Sequence, residues 1–93
     1  MFELLNKQGV RSSEGFEVQW VSRYAIEYRE GRNILTLKGD IGRAGARAGF
    51  ILERSSINHW DNDIMKREFS DEKKQQILDN FKSALNFQNL DVF

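Results

Sequence analysis

The chain has no cysteine, no proline and a single histidine among its 93 residues. Without cysteine there is no disulfide scaffold, no thiol nucleophile and no thiolate-held zinc or iron–sulfur centre. An excess of one charge is missing too, since 14 Lys and Arg balance 14 Asp and Glu. A domain that grips nucleic acid through its phosphates is usually basic, so the balance argues against that partner while leaving room for a local patch. No stretch approaches the eighteen or so apolar residues of a membrane-spanning helix. Met1-Phe2 is followed at once by Glu3, and Leu4-Leu5 by Asn6, so no signal-type apolar core is read there and a cytoplasmic setting is expected.

What is present suffices for one core. Hydrophobic residues make up 40% of the chain and aromatics 12%, too much for a disordered tail. The length holds one domain, residues 1–93, because a second core needs more chain.

Phe2, Leu4 and Leu5 suit a short edge strand or a packed arm, with a turn at Asn6 to Gly9. Phe16, Val18 and Trp20 alternate with Glu17, Gln19 and Val21, the period of a half-buried strand. Tyr24, Ile26 and Tyr28 repeat the pattern, with Ser22-Arg23 as either a tight connection or a bulge. Glu30 to Asn33 reads as a hairpin loop and Ile34 to Lys38 as the next strand. Four glycines and three alanines between Gly39 and Gly49 describe a loop, or a strand crossing another backbone closely. Phe50 to Arg54 is strand-like again, and Ile57 to Trp60 reads as a further short strand.

Ser70 is a good helix N-cap, and Asp71 and Glu72 face the positive end of the helix that follows. Ile77, Leu78, Phe81, Ala84 and Leu85 form one apolar stripe, which predicts a helix from Asp71 to Phe87. Leu90 to Phe93 then returns as a final edge strand, able to pair with a second copy or with a partner. The fold class is α+β: an antiparallel sheet of four to six strands packed against one long C-terminal helix.

Catalytic constellations fail in turn. Ser55 and Ser56 precede His59 without the glycine-framed elbow of a hydrolase nucleophile, and His59 reads as a boundary histidine beside Trp60. Asp61 and Asp63 match the first two ligands of a calcium loop, but Met65 stands at the next ligand position and the glycine is missing. No metal and no cofactor is expected. Gly42 to Arg47 offers backbone amides with Arg43 and Arg47, which suits a phosphate or a partner-contacting loop. Trp20, Tyr24, Tyr28 and Trp60 are able to stack on bases, although a small core needs the same rings.

Three segments together resemble the immunity protein 74 family: Phe50 to Leu52, Ser56-Ile57-Asn58-His59-Trp60-Asp61, and the helix Ser70 to Phe81. The run from Tyr28 to Lys38 and the ending Leu90 to Phe93 also fit, so the resemblance covers roughly residues 24 to 93. Members often carry a proline shortly after the Trp-Asp pair; here Asn62 and Asp63 stand in that region. The resemblance implies a non-catalytic bacterial protein that binds and neutralises a cognate polymorphic toxin domain by occlusion. Candidate contacts are Arg43 and Arg47 on the glycine-rich stretch and Trp60, Asp61 and Asp63 on the turn that follows the motif; for Trp60 the alternative is to close the core between sheet and helix. A phosphate- or nucleic-acid-binding module, or a generic interaction domain, is the competing reading.

Overall fold

The computed structural model describes residues 1–93. Strands β1 (Phe2–Asn6), β2 (Gly9–Ser12), β3 (Phe16–Ser22), β4 (Ala25–Glu30), β5 (Asn33–Ala44) and β6 (Arg47–Leu52) form an antiparallel meander in chain order. A single 3-10 turn (Arg54–Ser56) and an irregular stretch lead to helix α1 (Asp71–Phe87), and β7 (Asp91–Val92) joins the sheet beside β6. The class is the expected α+β, with seven strands instead of four to six and a parallel last pair.

Alternation builds the inner face. Val10, Val18, Tyr28 and Leu35 stand opposite one another on four neighbouring strands, all fully buried. Ile26 and Leu37 form a second pair beside this row. Helix α1 lays Ile77, Leu78, Phe81, Ala84 and Leu85 onto the sheet, with Phe81 edge-on against Phe50 at 6.0 Å between centroids. Burying each large side chain contributes about 1.5–3 kcal/mol, which makes this layer the main source of stability.

The helix ends follow their local chemistry. Ser70 Oγ accepts from the Lys73 amide at 3.1 Å. At the other end Asn89 takes φ +64°, and the amides of Asn89 and Leu90 donate to the carbonyls of Asn86 and Leu85. That pairing is a Schellman motif, in which asparagine tolerates the left-handed position usually given to glycine.

The glycine-rich stretch is strand, not loop. Gly45 lies at φ +62° and makes a two-residue turn between β5 and β6, the same device Gly31 supplies between β4 and β5. At Gly39 the chain passes so close to β6 that a Cβ would overlap the Ile51 carbonyl oxygen. There β5 changes partner: Asn33 to Lys38 pair with β4, and Gly39 to Ala44 with β6.

Two further differences have local causes. Strand β2 exists because Val10 and Ser12 are buried against β3, although four residues with a leading glycine carry little pattern. Ile57 to Trp60 is not a strand. Its backbone groups bond to turns and to Phe69 instead of a neighbouring strand, and Asn58 Oδ1 accepts from the His59 amide at 2.6 Å.

Replacing Ser70 by alanine is expected to cost about 1 kcal/mol by removing the cap. For a domain of this size that lowers the thermal midpoint by about 4–8 °C, readable by circular dichroism at 222 nm. An unchanged midpoint would show that the cap contributes nothing here.

Candidate interaction surfaces

The change of partner at Gly39 leaves the outer edge of β5, from Asn33 to Lys38, without a neighbouring strand. The segment between Glu53 and Asn62 covers it. Glu53 N–H donates to the Lys38 carbonyl, Ser56 Oγ accepts from the Lys38 amide, and Asp61 N–H donates to the Ile34 carbonyl at 2.7 Å. Asn62 closes the far end, accepting from the Ile34 amide and donating to the Arg32 carbonyl. Such covering keeps an edge from pairing with foreign chains.

Between these contacts remains a polar cavity of about 560 Å³ with no hydrophobic residue in its lining. Thr36 lines it: its hydroxyl donates to Asp61 Oδ2 at 2.6 Å, while its backbone faces the same edge without a backbone partner. Lys38, Glu53 and Asn58 line the rest. His59 Nδ1 sits 2.9 Å from the Trp60 carbonyl. A carbonyl only accepts, so Nδ1 is the donor in this contact.

Trp60 turns away from this cavity. It stacks nearly parallel to Tyr28 at 6.3 Å and meets Phe69 edge-on at 5.0 Å, at the rim of the core between sheet and helix. Lys73 Nζ lies 5.7 Å over its ring and also donates to Glu30 at 2.7 Å. Glu30 in turn accepts from the Tyr28 hydroxyl at 2.6 Å, and Asn80 of the helix donates to that same hydroxyl. Burial, reinforced by the bond to Glu30, holds the Tyr28 phenol far above its ordinary value of 10.0.

Asp63 is occupied within its own turn. Its carboxylate accepts from the amides of Met65 and Arg67 and from the Arg67 guanidinium at 3.1 Å. The Arg67 bond outweighs partial desolvation and keeps the carboxyl below its ordinary value. Side-chain bonding by Asp63 shapes this turn.

Arg43 and Arg47 belong to a different region. Both are exposed near the tip of the β5–β6 hairpin, on opposite faces of it. Arg47 pairs with Asp91 of β7, whereas Arg43 makes no ion pair. Seven residues of strand separate Arg43 from Thr36, about 23 Å at the usual rise. Trp60, Asp61 and Asp63 are thus neighbours, and the two arginines are not among them. Thr36 and Lys38 were not singled out from the sequence. Their only signal is that they fall on the polar side of the β5 alternation.

A second concavity, of about 460 Å³, lies by the C-terminal end of α1 and is lined by Trp20, Val21, Ile41 and Leu90 with Lys7 and Arg23. Nowhere do three His, Cys, Asp or Glu side chains converge as a metal site would need, and no helix is long and apolar enough to cross a membrane.

The fold alone does not define a role for these concave surfaces. The model of the immunity protein 74 family matches residues 18–93, and the chain belongs to that family. The match takes in the segments that carried the resemblance and extends it into β3. The protein is accordingly non-enzymatic and of the immunity type, with a cognate toxin as its partner. No curated protein and no solved structure matches the chain.

The Tyr28 network predicts an alkaline loss of stability. A phenol raised on folding contributes stability below its unfolded value near 10, and that contribution fades as pH rises above it. Tyr28→Phe should cost about 1–3 kcal/mol at neutral pH by leaving Asn80 without its acceptor. Chemical denaturation at pH 8 and pH 11 is the check, and the gap between wild type and variant should narrow at the higher pH. A constant gap would count against the linkage.

Proposed function

We propose that the protein binds its cognate bacterial polymorphic toxin domain in the cytoplasm and neutralises it by occluding the toxin's active site or a neighbouring exosite. The family match over residues 18–93 carries this reading. The protein contributes a rigid, preorganised surface and no chemistry of its own, so little ordering entropy opposes association. With a net charge of zero, recognition rests on local patches and not on a global field. A basic nuclease is usually met by an acidic inhibitor, and the neutral balance gives no pointer to such a target.

The phosphate-binding alternative receives less support from the geometry. The backbone groups of Gly42 to Arg47 are taken up in part by the ladder with β6, and only Gly45-Ala46 forms a turn. Its two arginines point to opposite faces of the hairpin, so they do not converge on one anion.

Co-expression with the toxin domain encoded beside this chain should restore growth of a sensitive host. The two proteins should co-purify with a dissociation constant at or below about 10 nM, roughly −11 kcal/mol. Absence of both rescue and co-purification would reject the reading.

A further inference from the structure

The concavity at the C-terminal end of α1 is made of parts the family reading does not assign. Helix α1 covers the inner face of the sheet only as far as its Schellman turn at Gln88 to Leu90. Beyond it lies the groove of about 460 Å³, with Trp20, Val21, Ile41 and Leu90 as its apolar lining. Strict alternation would put Trp20 and Val21 on opposite faces of β3. A register shift between Trp20 and Ser22 lets both line the groove. Val21 is 63% exposed, Ile41 48% and the adjacent Tyr24 56%. Trp20 and Ile41 lie on the same face of the sheet as the buried Val18 and Phe50, so the groove continues the apolar inner face past the end of the helix.

The two charged side chains that line the groove are cationic, although one of them is paired. Lys7 and Arg23 line it and no carboxylate does. Arg23 lies 5.2 Å over the Tyr24 ring and pairs with Asp40 at 3.0 Å, whereas Lys7 makes no ion pair. Arg43 lies two residues beyond Ile41 on the same face of β5 and is likewise unpaired. A tryptophan anchor, aliphatic walls and a cationic rim are the composition of a protein-binding hot spot.

Other surfaces lack one part of this set. The polar cavity beside β5 has no apolar residue to desolvate. Ile64 and Met65 are highly exposed but line none of the concave surfaces.

We propose that this groove is the surface that seats the toxin, and that the element it takes presents an apolar side chain flanked by carboxylates. The apolar group fills the space between Trp20 and Ile41, and the carboxylates meet Lys7 and Arg43. This rests on the toxin-binding reading and goes further by naming the surface and the chemistry of what it receives.

The test measures association of the neighbouring-gene toxin domain with the full chain by biolayer interferometry at two salt concentrations. Lys7→Glu combined with Arg43→Glu changes only exposed side chains, and circular dichroism verifies the fold. It should weaken binding at least about tenfold, mainly through slower association, and reduce the salt dependence. Ile41→Glu should weaken binding at least as much through faster dissociation, with Ile41→Ser as the milder variant should the glutamate unfold the chain. Lys38→Glu in the polar cavity should stay within about twofold of wild type. Groove variants that bind like wild type would overturn the groove proposal alone. Wild-type protein that fails to bind the toxin domain at all would overturn the toxin-binding reading and this one with it.

Discussion

An unpaired strand edge is the constraint from which most of this structure follows. Strand β5 is twelve residues long and serves two partners, β4 before Gly39 and β6 after it. Had β6 continued alongside its first half, no gap would exist. Because the chain turns away at Leu52, the hydrogen-bonding groups of Ile34, Thr36 and Lys38 must find other partners or water. The motif segment from Ser56 to Asn62 meets this need through side-chain oxygens and single amides, which explains its irregular shape. The same duty holds Trp60 at the rim of the core, since its neighbour Asp61 is fixed to Ile34 and Thr36.

On the opposite side of that segment the helix is tied to the sheet by both apolar and polar means. Tyr28 is the hinge between the two kinds of contact. Its ring is buried in the aromatic stack with Phe16 and Trp60, and its hydroxyl joins Glu30 of the sheet to Asn80 of the helix. Lys73 adds a second tie by donating to Glu30 while lying over Trp60. An apolar stripe alone would allow a helix to slide along the sheet; directed hydrogen bonds at one end define where it stops.

The parts legible in the sequence were those governed by local chemistry. Ser70, Asp71, Glu72 and the five-residue stripe place α1 at about Asp71 to Phe87, its observed span, because cap, dipole and periodicity agree. Strands β3, β4 and the first half of β5 were legible from alternation. Alternation vanishes in Gly42 to Gly49, where small residues allow close packing, so the second half of β5 and the start of β6 resembled a loop. Ile57 to Trp60 has strand-like composition, but its own hydrogen bonds stay local or reach Phe69, while its flanking residues Ser56, Asp61 and Asn62 bond the β5 edge, which no local pattern reveals. The apolar groove was hidden most deeply. Its lining comes from the β1–β2 turn, β3, β5 and the end of α1, and it depends on a register shift that no composition announces.

The two tryptophans occupy opposite situations within this plan. Trp60 is packed between Tyr28 and Phe69 under an ammonium group, while Trp20 meets Phe50 edge-on and borders the open groove. Trp60 is therefore placed to sense the seating of the helix, and Trp20 to sense the occupant proposed for the groove. With Trp20 or Trp60 replaced by phenylalanine, the emission of the other becomes a spectroscopic channel for one event, without any attached dye.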